Sequence, residues 1–119
     1  YALIDLTQQD YDEYYAGFAN RALWPVMHYR LGLTAFSRSD FEGYLRVNAA
    51  IARQVVTEAA PGDLVWVHDY HLMPLAREIV RLGGRQRIGY FHHIPWPPPE
   101  VFATIPSARD LLQAMLFYD

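Results

Sequence analysis

Between residues 38 and 60 the apolar positions Phe41, Tyr44, Leu45, Val47, Ile51, Val55 and Val56 recur near the 3.6-residue period of an amphipathic helix. Ser39-x-x-Glu42, just ahead of them, has capping-box spacing. The spacing predicts the longest helix of the chain here, ending near Ala60. Pro61-Gly62-Asp63 is a turn signal. The pattern then changes to an unbroken apolar run, Leu64-Val65-Trp66-Val67, as expected of a strand buried on both faces. Pro74 suits the first turn of a helix, which Leu75 to Leu82 continue and Gly83-Gly84 end. Arg87-Ile88-Gly89-Tyr90-Phe91 is the next strand. Residues 64–92 therefore read as a βαβ unit, a crossover that makes its two strands parallel neighbours.

The flanks are largely helical. Ala2-Leu3-Ile4 reads as a short strand. Thr7, three residues before Asp10, marks a helix start. The aromatic-rich Tyr11 to Leu23 segment follows as a helix, which Pro25 should end or kink. His28 to Ser37 is an irregular connection. Pro95, Pro97, Pro98 and Pro99 stiffen a loop, a short helix starts at Glu100, and Ser107-x-x-Asp110 caps a last one. The fold class is α/β, a Rossmann-like parallel sheet with flanking helices. No internal repeat or low-complexity segment stands out.

Both strands run straight into titratable side chains: His68, Asp69 and His71 after the first, His92 and His93 after the second. Parallel neighbours lie about 4.8 Å apart, so the two clusters share one edge of the sheet, where open α/β folds keep their ligands. A carboxylate there accepts hydrogen bonds from sugar hydroxyls, each worth roughly 1.5–3 kcal/mol when charged. An imidazole donates or accepts near neutral pH. Taken alone, a strand-end histidine is more often a satisfied structural group, and that reading is kept for His68 and His92. The histidines and Asp69 match no standard ligand motif, so no metal is expected. Most of the aromatic cluster Tyr11, Tyr14, Tyr15, Phe18, Trp24 and Tyr29 reads as core. Tyr15 and Trp24 are better suited to the surface, since a Trp ring stacks on a sugar face and a Tyr hydroxyl reaches a phosphate oxygen. Gly89 has no role in a strand unless something approaches it closely.

Composition narrows the class. The chain has 119 residues, 52% hydrophobic and 15% aromatic, enough for one small domain with a core. Its net charge is −3, with 13 acidic residues against 10 basic ones. All the basic residues are arginine and they are scattered, so no nucleic-acid surface is expected. No apolar run approaches the roughly 20 residues of a membrane span. The absence of cysteine excludes thiolate chemistry and fits a cytoplasmic protein. Residue 1 is Tyr, and the closing stretch 111–119 is still strongly apolar without a terminating Gly or Pro. The sequence is expected to be a piece of a larger protein.

Four runs together resemble trehalose-6-phosphate synthases: residues 13–25 continuing into His28-Tyr29, residues 41–48, residues 66–74, and residues 89–102 from Gly89-Tyr90-Phe91-His92-His93-Ile94-Pro95-Trp96 to Phe102. They cover almost the whole chain in family order. The resemblance implies a retaining glycosyltransferase of GT-B architecture, with two Rossmann-like domains and the active site between them. It would transfer glucose from UDP-glucose to glucose-6-phosphate. Residues 1–119 would be part of the N-terminal, acceptor-binding domain, with the glycine loop and the C-terminal nucleotide-sugar domain outside the chain. By motif position, Tyr15 and Asp69 would contact glucose-6-phosphate, and Trp24 and Ile94 would line the site and help select the anomer. His93 would sit at the donor glucose and the reacting centre, which makes His93 and Asp69 the candidate catalytic residues. No cofactor or metal is implied, and a homo-oligomer is left open for the larger protein. His92 stands where many members carry Leu, and Trp96 where Phe is usual. No second carboxylate accompanies Asp69, which suits a same-face displacement in which the leaving phosphate takes the acceptor proton. Three alternatives remain: a sister enzyme acting on glycerol-3-phosphate or a cyclitol phosphate, a non-catalytic sugar-phosphate-binding homologue, and an unrelated metal hydrolase. The isolated piece is expected to be inactive and, with exposed edges and apolar faces, prone to aggregate.

Overall fold

The computed structural model describes residues 2–119. The anticipated βαβ unit is present. Strand β1 (Leu64–His68) pairs in parallel with β2 (Arg87–Phe91), from Leu64 opposite Arg87 to His68 opposite Phe91. Among the described residues these two strands make up the sheet. Between them lie a 3-10 turn, Tyr70–Leu72, and helix α4, Leu75–Arg81. That helix ends in a Schellman arrangement: Gly83, at φ 83°, donates to the Val80 carbonyl and Gly84 to that of Ile79.

Ahead of the sheet, α1 (Gln8–Asp10), a π-helix (Tyr11–Leu23) and α2 (Trp24–Met27) form one continuous rod. As expected, the Thr7 hydroxyl caps its start by accepting from the Asp10 N–H at 3.0 Å. Pro25 does not end the rod. Proline lacks an N–H and would orphan the carbonyl of Arg21, four residues back, but the Ala35 N–H supplies that carbonyl at 2.9 Å. A 3-10 turn, Leu31–Leu33, leads to α3, Arg38–Glu58. Its cap is Ser37 rather than Ser39: the Ser37 hydroxyl accepts from the Asp40 N–H at 3.4 Å, and the Ser39 hydroxyl pairs with that of Ser37. After β2 come α5, Pro99–Phe102, and α6, Ala108–Met115. Ser107 makes no cap bond to α6, because its backbone (φ −95°, ψ 14°) is not extended and Asp110 is drawn off to the buried Arg77 at 2.9 Å. Residues 2–4 form no strand; no neighbouring edge pairs with them, and Leu3 is exposed.

Two apolar clusters hold these elements together. The larger joins the π-helix, α2, α3, α5 and α6 through Phe18, Leu23, Met27, Tyr44, Phe102 and Leu111. The smaller packs α3 and α4 on the sheet through Ala52, Val67, Leu75, Ile79 and Ile88. Each fully buried large aliphatic side chain contributes roughly 1.5–3 kcal/mol. The expectation that β1 is buried on both faces is not met. Val67 is buried, but Leu64 is 63% and Trp66 54% exposed, because only one face of the strand is covered by helices here. Gly89 explains itself on the open face: a Cβ there would come 3.0 Å from the Trp66 ring, which lies across it. Of the aromatic cluster, Tyr14 and Phe18 are core, whereas Tyr11 and Tyr29 are exposed.

Candidate functional site

The parallel ladder carries the two polar clusters to a common end. It runs one residue past β1, where the Asp69 N–H donates to the Phe91 carbonyl at 2.9 Å. The chain then turns sharply at Asp69, whose φ of 73° and ψ of 168° lie in a region that is essentially glycine-only. That turn brings the Asp69 carboxylate back between the strand ends. Its Oδ1 accepts from the backbone N–H of Tyr70 at 3.1 Å and of His93 at 3.4 Å. With Oδ1 so engaged, Oδ2 is the oxygen available to a ligand hydroxyl. His92 Nδ1 stands 3.9 Å from the same Oδ1, beyond hydrogen-bond range, and instead meets the Tyr90 hydroxyl at 3.1 Å.

The backbone after Asp69 is held from below. Three successive carbonyls each receive a side-chain donor: Tyr70 from the Tyr44 hydroxyl at 2.6 Å, His71 from Asn48 Nδ2 at 3.1 Å, and Leu72 from the Tyr118 hydroxyl at 2.7 Å. Tyr44 and Asn48 are buried on α3. The π-helix closes one side of the turn. The Tyr70 hydroxyl donates to Asn20 Oδ1 at 3.0 Å, and the Tyr15 ring stacks on the His71 ring with centroids 5.5 Å apart and planes 12° from parallel.

Charge states follow from burial. His71 and His92 are both held below the ordinary imidazole value, chiefly by desolvation, with the neighbouring Asp69 charge opposing it. The Tyr70 hydroxyl is pushed up to about 12 by burial first and then by the Asp69 charge. Both histidines are therefore neutral around pH 7 and the phenol remains a donor.

Of the sequence-predicted residues, Asp69 and His93 meet directly, and Tyr15 joins the same turn through His71. Tyr15 is 42% and Trp24 37% exposed, as a surface role requires. Trp24 stacks on His28 with centroids 4.1 Å apart. Ile94 is half-buried against the larger core, which leaves the other part of its side chain at the surface beside His93. The structural reading suits His92, half-buried and bonded to Tyr90. It does not suit His68, which is exposed and whose Nδ1 lies 2.8 Å from His93 Nε2. His71 stands in the strand-end cluster that the sequence marks, but without a role; its place three residues after His68 was visible, and its stacking partner Tyr15 was not. Among the described residues no group of three or more His, Asp or Glu is placed to hold a metal ion, and no helix is long and apolar enough to cross a membrane.

This geometry has close counterparts in known proteins. The profile of Glycosyltransferase family 20 matches residues 1–119. A trehalose-6-phosphate synthase of Sinorhizobium fredii is 49% identical over 119 residues, all of this chain and 26% of its own length. The crystal structure of a UDP-forming α,α-trehalose-phosphate synthase from Burkholderia xenovorans superposes with a TM-score of 0.98 at 50% identity, covering 100% of this chain and 27% of that one. A structure of an α,α-trehalose-phosphate synthase from the same organism, in complex with glucose-6-phosphate, gives a TM-score of 0.97 at 47% identity over 99% of this chain and 26% of that one. The chain spans about a quarter of the length of the relatives it matches.

Proposed function

This chain belongs to glycosyltransferase family 20, and from that premise we propose that it forms the acceptor-side wall of an enzyme that transfers glucose from UDP-glucose to glucose-6-phosphate. The products are trehalose-6-phosphate and UDP. Residues 1–119 are then part of the N-terminal, acceptor-binding domain. The observation that carries this reading is Asp69: a carboxylate on a strained backbone, aimed between two strand ends, with one oxygen fixed by two backbone donors.

In this reading Asp69 Oδ2 accepts a hydroxyl hydrogen bond from the acceptor sugar. Tyr15, held by its stack on His71, contributes its hydroxyl to the phosphate end. Trp24 and Ile94 supply apolar surface against the acceptor ring. His93 faces the donor glucose and steadies charge as the bond between its anomeric carbon and the UDP oxygen breaks. The new bond forms from that carbon to the acceptor hydroxyl oxygen, on the face the UDP leaves. The hydroxyl proton passes to the departing phosphate oxygen. Retention through a covalent enzyme intermediate would need a carboxylate placed to attack the anomeric carbon, whereas this reading gives Asp69 to the acceptor sugar. No step needs a metal or cofactor.

The test is UDP release by the enzyme containing this chain, given UDP-glucose with glucose-6-phosphate, glycerol-3-phosphate or a cyclitol phosphate in turn. Release with glucose-6-phosphate and formation of trehalose-6-phosphate are expected. Release only with another phosphorylated acceptor moves the assignment to a sister enzyme, and binding without turnover to a non-catalytic homologue.

A further inference from the structure

The contact between His68 and His93 has no part in the function proposed above, and at 2.8 Å it joins the ends of the two strands side chain to side chain. We propose that His68 is a positioning residue for His93, fixing both the orientation of its ring and which of its nitrogens carries the proton. The kinetic part of this claim rests on the reading of His93 as the donor-side group.

A hydrogen bond between two imidazole nitrogens joins one N–H to one lone pair. Here the atoms are His68 Nδ1 and His93 Nε2, 2.8 Å apart. His93 Nδ1 is left for a substrate. If His68 donates, the His93 proton sits on Nδ1, which then offers a donor to a sugar oxygen. If His93 donates, Nδ1 offers a lone pair. One neighbour thus decides what His93 presents, as partners on the far ring nitrogen of a histidine commonly do.

The surroundings make this a built arrangement. Trp66 and His68 alternate onto the same face of β1, with the Trp66 ring edge-on to His68 at 6.0 Å. Phe91, in register with His68 on β2, lies 6.5 Å from the His68 ring and 4.7 Å from that of His93. The two imidazoles themselves are nearly parallel, at 18°. His93 is therefore restrained twice: through its backbone N–H by Asp69 Oδ1, and through its ring by His68. A ring free to rotate would present its reacting nitrogen in the required direction only part of the time, and small misplacements are costly to catalysis.

The experiment uses His68→Phe, which keeps a ring without the nitrogen, and His68→Asn, whose amide nitrogen or oxygen occupies the Nδ1 position. In the enzyme containing this chain, H68F should lower kcat by about tenfold or more, with the KM for glucose-6-phosphate little changed, and H68N should recover most of the loss. In a His93→Ala background H68F should cost nothing further. An equal loss in that background overturns the proposal. Nitrogen-15 NMR of the histidine rings supplies a second readout that needs no turnover. His93 should show one dominant tautomer in the unsubstituted protein and a mixture in H68F; an unchanged His93 spectrum overturns the proposal. If H68F does not fold, H68N is compared with His68→Gln, whose amide reaches the wrong ring position, and identical His93 spectra in the two overturn it. Should the unsubstituted enzyme release no UDP, the functional reading fails while the NMR comparison still decides the role of His68.

Discussion

Asp69 sits at φ 73° and ψ 168°, where any side chain beyond hydrogen costs of order 1–3 kcal/mol. A turn at this point needs the backbone conformation, and glycine would supply it without strain. The presence of Asp means that the carboxylate is kept against a stability gradient. Asp69→Ala keeps the strain and loses the carboxylate; Asp69→Gly loses both. In the proposed enzyme both variants should lose acceptor binding. D69G should nevertheless be more stable to denaturant than D69A, by up to about 2 kcal/mol, because the strain relieved exceeds the entropy penalty of roughly 0.5–1 kcal/mol that glycine normally carries relative to Ala. D69A the more stable would show that the backbone at Asp69 is not strained. Asp69 and His93 were legible in the sequence because polar residues directly after apolar runs fall at strand ends. The strain was not legible, and neither was the contact from His68 to His93, since a one-dimensional pattern places residues at an edge without saying which rings touch across it. The three donors under the turn, Tyr44, Asn48 and Tyr118, lie 26, 23 and 46 positions from the carbonyls they serve, beyond any local spacing rule.

At the scale of elements, period and punctuation located the strands, α3 and α4 because those segments obey simple geometry: a strand-like apolar run, a helical stripe, and Gly83 with the left-handed φ that ends α4. Errors arose where two local solutions competed. Ser37-x-x-Asp40 and Ser39-x-x-Glu42 both fit a cap, and the extended backbone of Ser37 (φ −133°, ψ 135°) decided between them. Pro25 reads as a residue that ends or kinks the helix, yet the rod runs on to Met27, because the Arg21 carbonyl that Pro25 orphans is satisfied by a donor fourteen residues away. The π-helix shifts each residue around the axis relative to an α-helix, which puts Tyr14 inward on Tyr44 and Tyr15 outward on His71. Such wide turns are uncommon and recur at functional sites. The rod and α3 approach closely at Gly43, where a Cβ would run into Glu13, itself bonded to Arg46 at 2.7 Å. Ala in a helix interior is normally favoured over Gly by about 1 kcal/mol. Here the sign should invert, with Gly43→Ala destabilising by roughly 1–3 kcal/mol through overpacking. Denaturant unfolding checks this, and a G43A protein as stable as the unsubstituted one would rule out the close packing of the rod on α3.

Across the whole molecule the buried polar groups set how stability responds to pH. His71 and His92 are neutral in the folded state, with their protonation pushed below the ordinary 6.5 mainly by burial. In the unfolded chain both return to that ordinary value and bind protons more readily. Between the ordinary and the depressed value the unfolded state therefore holds more protons, and stability rises with pH across that window. It is fully present above about 6.5 and declines as the pH falls through the folded-state values. Asp69 faces both histidines and softens the effect, because its charge favours the imidazolium. Of the two, His92 is the cleaner probe. Replacing it breaks one side-chain hydrogen bond, to the Tyr90 hydroxyl, and leaves no imidazole to protonate, whereas replacing His71 would also remove the ring on which Tyr15 stacks. Denaturant midpoints should accordingly fall between about pH 7 and pH 5, and His92→Leu should lessen that fall while leaving the part due to His71. The acidic groups Asp10 and Glu13, lowered by Thr7 and Arg46, respond at lower pH and do not mask the comparison. A His92→Leu protein whose midpoint falls as steeply as that of the unsubstituted protein would mean that His92 stays solvated in the fold, and the burial of the second strand end would have to be redrawn.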